Sequence, residues 1–137
     1  MFGLDFNRRD DDNIINKYLN YGYAILRGYV SRSIVKKGLD PRISIFHKSF
    51  HNHFSLSSDL MEVFRFVIDY EVLKIFKKGF EQQTWLEAKQ QLIECFNKKI
   101  KINGQDHFVN NAIDLFIDAI VNQTKLPEID LIENEFN

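Results

Sequence analysis

One cysteine, two prolines and no long apolar run set the first limits on this 137-residue chain. With Cys95 alone, no intramolecular disulfide can form, which fits a reducing cytoplasm and leaves the thiol to pack as a small apolar side chain. No apolar stretch approaches the length of a membrane span, and the opening MFGLDFNRRDDD lacks the basic-then-apolar order of a signal peptide. The chain therefore reads as cytoplasmic, with no membrane partner. A formal net charge of -1 argues against a wholesale polycationic binder of nucleic acid. Internal repeats, a phosphate-cradling glycine loop and a Ser/His/Asp grouping are all missing, so the chemistries that need them are set aside. The length suits one domain with a proper core, and no composition break divides it.

What is present is mostly helical in pattern. A first helix is expected from about Asp12 to Lys37, burying Ile15, Tyr18 or Leu19, Gly22, Ile25 or Leu26, Tyr29 and Ser33. Gly38 suits the position just past its end, and Pro41 bars continuation. Ile43 to Phe46 reads as extended, before a histidine-rich loop from Phe50 to Phe54. His51 and His53 have no cysteine partner and lack the spacing of a zinc module. A second helix is expected from about Ser57 to Lys77, ended by Gly79, with Leu60, Phe64, Val67, Ile68, Val72 and Phe76 as its apolar stripe. Thr84-Trp85-Leu86-Glu87 is a capping-box sequence opening a helix to about Asn97, with Leu92, Ile93 and Phe96 inward and Trp85 anchoring its start. Lys99 to Ile102 reads as a short extended piece before an Asn103-Gly104 turn. A last helix, Val109 to Asn122, turns Ala112, Ile113, Phe116, Ile117 and Ile120 to one face. The expected fold is all-α with at most one or two short strands: a helical domain over 1–127 and a loose or docking acidic tail over 128–137.

The stretch ISIFHKSFHNHFSLSSDLMEVFRF, Ile43 to Phe66, concentrates the ligand chemistry. It offers His47 as a nitrogen ligand and Glu62 as an oxygen ligand on two different elements, a donor set that suits a hard cation. Their spacing is unlike the one-helix H-E-x-x-H motif. Asp59, Glu62, Arg65 and Asp69 follow at three- and four-residue steps and so share one helix face. From the residues alone this stripe is either a site or a solvated face with an Arg65–Asp69 pair. Tyr21, Gly22 and Tyr23 likewise allow close helix packing or contact with phosphates.

Basic residues are unevenly spread. Between Ala24 and Lys48, Arg27, Arg32, Lys36, Lys37, Arg42 and Lys48 are opposed only by Asp40, whereas beyond Asn103 the only lysine or arginine is Lys125. The basic segment leads into His47. Phosphate neutralisation there would bring a DNA strand to a bound metal, and Arg27, Arg32, Arg42, Lys48 and Arg65 are the candidate DNA-binding side chains.

The ordered run from Leu19 to Arg65 resembles the CRISPR-associated spacer-acquisition integrase, the first Cas protein, in its type II form. The matching positions are Asn20, Tyr21, Gly22 and Tyr23, then Gly38, Leu39 and Pro41, then His47, Asn52 and Phe54, then Leu56, Asp59, Leu60, Met61, Glu62, Phe64 and Arg65. A further match, ending in an N-A-I-D-L-F-like helix, covers Asn111 to Phe116. Phe46, His53, Ser57, Ser58 and Val63 depart from the family's pattern without removing a ligand. The resemblance implies the helical C-terminal catalytic part of that enzyme, with His47 and Glu62 as catalytic residues and as two of three ligands to Mg2+ or Mn2+. It implies endonuclease and integrase chemistry, in which a prespacer 3′-hydroxyl attacks a phosphodiester at the CRISPR repeat, and Arg65 or Asp59 orients the ligands. Implied partners are double-stranded DNA and the second Cas adaptation protein, and the full-length family member is implied to form homodimers. The family's third ligand, a glutamate, is expected about three helical turns before Met1, and its β-rich dimerising domain has no counterpart here. The chain alone is therefore expected to be impaired in activity. A non-catalytic helical module that docks DNA or protein is the alternative.

Overall fold

A computed structural model describes residues 8–39, 56–79, 83–122 and 124–131. The expected strand at Ile43 to Phe46, the histidine loop, and His47, Arg42 and Lys48 lie outside them. Helix α1 runs Arg8–Lys36 and α2 runs Leu56–Lys78. The end of α1 is a Schellman motif: Gly38 takes φ 78°, its N–H reaches Val35 O at 2.9 Å, and Leu39 N–H reaches Ile34 O at 3.2 Å. Helix α3, Trp85–Glu94, begins with the expected capping box, in which the Thr84 hydroxyl accepts from Glu87 N–H while the Glu87 carboxylate accepts from Thr84 N–H. A 3-10 turn, Cys95–Asn97, continues it.

Strands β1, Lys99–Ile102, and β2, Gln105–Phe108, form a hairpin whose two turn residues, Asn103 and Gly104, have φ of 51° and 82°. Two positive φ values in succession give the primed turn that matches strand twist. Helix α4, Val109–Val121, follows directly. Three residues of the expected loose tail, Ile129–Leu131, form β3 and pair antiparallel with the other edge of β1, giving the order β2-β1-β3. Glu128 and Asn103 exchange bonds just before the pairing starts. The tail thus satisfies an edge that would otherwise present unpaired backbone groups. The architecture is helical with one small sheet, as the pattern predicts.

The core is where α1, α2 and α4 meet. Leu26, Val30 and Ile34 of α1, Leu60, Phe64, Val67, Ile68 and Val72 of α2, and Ile113 and Ile117 of α4 are all buried. Phe64 meets Phe116 edge-on at 5.7 Å, and Tyr29 stacks on Phe96 at 4.5 Å. Ile93 departs from expectation and is exposed. Ala88 and Leu92 set the buried stripe of α3, so the next residue falls about 100° away from it, and the 3-10 turn then brings Cys95 and Phe96 back inward. Phe76 and Ile120 are only partly buried, while Ile75 and Ala119 take the inner positions.

Among the described residues one buried side chain is charged. Glu71 is fully shielded on α2, where it pairs with Lys98, accepts from Gln91 Nε2 at 2.8 Å and lies 3.9 Å from Lys74. Gln83 in turn donates to Gln91 at 2.8 Å. Burial works against the charge of Lys98, but Glu71 outweighs it and raises the ammonium's pKa. Lys74 moves the other way, lowered by burial and by Lys98. The cluster ties α2 to α3 and to the entry of β1.

Two stability outcomes follow from this packing. A Cβ on Gly22 would stand 2.5 Å from Ile68 Cγ2, so Gly22→Ala should lower the urea midpoint by an amount equivalent to about 1–3 kcal/mol. Lys98→Met leaves Glu71 with the neutral Gln91 amide and with Lys74 at 3.9 Å, and should cost about 3 kcal/mol, part of which the double variant Lys98→Met, Glu71→Leu recovers in the same urea titration.

Candidate active site

The outer face of α2 carries Glu62, Arg65 and Asp69 in the expected order, one turn apart. Asp59 occupies the preceding turn of the same helix, and its side chain lies outside the described residues. The Glu62 side chain is 68% exposed, and its Oε1 accepts from Arg65 Nη1 at 2.7 Å. Arg65 therefore pairs with Glu62, not with Asp69 as the solvated-face alternative has it. Asp69 instead accepts from the Tyr23 hydroxyl, which comes from α1. The Arg65 guanidinium lies over the Tyr23 ring at 4.5 Å, and its Nε is shielded from solvent without a partner.

Backbone proximity makes the cluster possible. Gly22 removes the side chain that would hold α1 away from Ile68, so the neighbouring Tyr23 can reach across to α2. Tyr23 is thus a structural member of the α2 cluster, whereas Tyr21 packs edge-on to Trp85 at 5.4 Å. Trp85 also takes Tyr18 at 4.8 Å and the Lys17 ammonium at 4.3 Å, which fixes α3 to the first half of α1. Burial, then the hydrogen bond to Asp69, pushes the Tyr23 phenol up to about 12. Cys95 is buried as expected, and burial raises its thiol far above the ordinary range.

Of the five candidate DNA-binding residues, Arg27 and Arg32 are exposed on α1 and Arg65 belongs to the cluster; Arg42 and Lys48 lie outside the described residues. Five residues separate Arg27 from Arg32, a rotation of about 140° on a helix, so the two do not continue one stripe. Arg32 rests over the Tyr29 ring at 5.6 Å. His47 has no described position, so only Glu62 of the two expected ligands can be placed. Among the described residues no group of three or more His, Cys, Asp or Glu side chains is gathered to hold a metal, and no helix is long and apolar enough to cross a membrane.

Residues 4–103 match the family model for CRISPR associated protein Cas1, a span that includes the Glu62 cluster. The chain belongs to the Cas1 family. A CRISPR-associated endonuclease Cas1 from Neisseria meningitidis is 34% identical over 94% of this chain and 45% of its own length. One from Saccharolobus solfataricus is 36% identical over 66% of this chain and 29% of its own. The chain thus spans less than half the length of these Cas1 relatives. A solved structure described as a casposase bound to integration product superposes with a TM-score of 0.64 at 24% identity, covering 82% of this chain and 39% of that one, which supports the fold.

The Tyr23 shift has a direct consequence at high pH. The folded-state value lies above the ordinary 10.0, so the stability it contributes is complete below about pH 10 and is lost as pH rises through about 12. Urea midpoints measured from pH 8 to 12 should fall steeply over that window, and Tyr23→Phe should make the fall shallower while lowering stability at neutral pH by about 1 kcal/mol.

Proposed function

We propose that this chain is the helical catalytic half of a divalent-metal-dependent DNA endonuclease and integrase of CRISPR adaptation, with His47 and Glu62 among the metal ligands. The observation that carries the reading is the Glu62 carboxylate: it stands exposed, within the segment matched to the Cas1 family, and already takes a cation's charge from Arg65. An exposed carboxylate on a rigid helix, held by a second side chain, suits one oxygen ligand of Mg2+ or Mn2+. His47 would add an imidazole nitrogen from a separate element.

When bound, such an ion polarises a phosphodiester and lowers the pKa of an attacking 3′-hydroxyl. Glu62 supplies the negative charge that retains it. Arg65 fixes the Glu62 rotamer, is itself fixed by the Tyr23 ring, and keeps a positive group beside the carboxylate for a strand's phosphate. Arg27 and Arg32, with Arg42 and Lys48, would neutralise further phosphates of double-stranded DNA. The relatives' names supply the endonuclease class, and the longer relatives, a second copy and the second Cas adaptation protein are the partners this reading expects. A non-catalytic docking module is the competing reading.

Manganese titration by calorimetry separates the two. Weak Mn2+ binding that disappears in both Glu62→Ala and His47→Ala is expected, and Arg65→Ala should weaken it about 10–100-fold. When the chain is joined to the N-terminal half of a longer Cas1 relative, divalent-dependent strand transfer should appear and Glu62→Ala should abolish it. No specific Mn2+ affinity in either form would favour the docking module, and activity surviving both substitutions would remove the assigned ligands.

A further inference from the structure

From Asn13 to Leu39 the chain holds no aspartate or glutamate, and along the outer side of α1 that absence becomes a surface. Asn16, Lys17, Asn20, Ala24 and Arg27 are all exposed. Their spacing keeps them within about 100° of one another, so they form one strip along about 16 Å of the helix. The carboxylates that reach α1 from other helices do so elsewhere. Asp69 accepts from Tyr23, Asp114 from Ser33 and Lys36, and Asp118 pairs with Lys37. Among the described residues, the positive charge of the outer strip is therefore unopposed.

At one end the strip meets α3. Lys36, Lys37, Lys98 and Lys101 are each paired with a carboxylate, whereas the Lys17 and Lys89 ammonium groups rest on one indole ring, 4.3 and 5.6 Å from the Trp85 centroid. Neither has a carboxylate partner among the described residues. The ring attracts and confines both cations, so part of the side-chain entropy that a phosphate contact costs is already lost. At the other end Arg27 stands one helical turn from Tyr23, whose ring carries the Arg65 guanidinium beside Glu62. Between the two ends the surface is low: Ala24 is exposed, and a Cβ on Gly28 would meet nothing within 4 Å, so packing does not demand a glycine there.

We propose that this outer strip of α1, flanked by Lys89 of α3, is the track along which a nucleic acid backbone reaches the Glu62 site, with Lys17 and Lys89 as paired phosphate contacts at its far end. Asn16 and Asn20 supply uncharged donors between the cations. Charge complementarity selects the partner, because cations and carboxamides without a carboxylate are what a phosphate backbone requires. The strip exposes no large apolar side chain of the kind that anchors a protein partner. The inference rests on the DNA-binding reading above and adds Lys17, Lys89 and α3 to it.

Trp85 makes the test local, because it is the only tryptophan of the chain. A labelled mixed-sequence DNA duplex is titrated with the full chain over a salt series, and its anisotropy and the Trp85 emission are followed together. Emission should change with the same midpoint as anisotropy, since phosphates draw the two ammonium groups off the indole. The double variant Lys17→Gln, Lys89→Gln should reduce the salt slope by about two units, one for each lost phosphate contact, and should remove the coupled emission change. Ala24→Glu, which sets a carboxylate in the middle of the strip, should weaken binding about tenfold at low salt, while Ala24→Gln stays close to the parent. Ala24 is exposed, so both of its variants should keep the parent's helical spectrum. A parent-like salt slope in the lysine variant together with parent-like affinity in Ala24→Glu overturns the track and leaves the integrase reading standing on its other residues. An emission change lost without any change in slope also overturns it, since the lysines then touch the ring and no phosphate. Equal competition by poly-glutamate at matched charge overturns the strand as partner and leaves a general anion surface. A duplex that does not bind at all overturns the track and the DNA-binding reading together.

Discussion

The approach of α1 to α2 at Gly22 and Ile68 is the contact on which the rest of the molecule depends. Without a side chain at Gly22 the two helices come within van der Waals distance, and residues on either side of that point inherit their partners from it. On the inner side, Leu26 and Val30 pack with the stripe of α2. Toward the outer side, Tyr23 crosses to Asp69 and lies beneath Arg65, which holds Glu62. A single steric permission therefore sets both core density and the posture of the candidate ligand.

Charge burial provides a second, separate anchor. Glu71 occupies a core position of α2, yet its carboxylate is met by Lys98 and Gln91, so the desolvation of the anion is offset by two strong bonds. Hydrophobic side chains could fill that space, but they would not dictate where β1 begins. An ion pair has a preferred geometry, and here that geometry fixes the sheet relative to α2. The sheet then seeds α4 directly after Phe108, which brings the uncapped first turn of that helix beside Arg32.

Two polar regions consequently border α1 with different chemistry. Near Tyr23 the exposed group is a carboxylate under control of an arginine, which suits a cation. Near Ser33 the Asp114 carboxylate is already met by the Ser33 hydroxyl and Lys36.

Periodicity in the chain was enough to specify the helices, because a buried stripe at three- and four-residue steps and a cap are local properties. Thr84 to Glu87, Gly38, and the stripe from Leu60 to Val72 act within one or two turns, and the ordered motif from Leu19 to Arg65 carried the family with them. Partner choice was not local. Arg65 had Glu62 and Asp69 at equal helical reach, and only the arrival of Tyr23 from another helix, taking Asp69, left Arg65 for Glu62. Ile129 to Leu131 gave no strand signal, since the β1 edge that orders them lies 27 residues upstream at its nearest pair, Ile102 with Ile129. Glu71 read as one more helical carboxylate until the fold enclosed it. Sequence determines what each segment is, through backbone sterics and side-chain spacing; tertiary structure decides which side chains compete for the same partner, because that depends on distances no single segment contains.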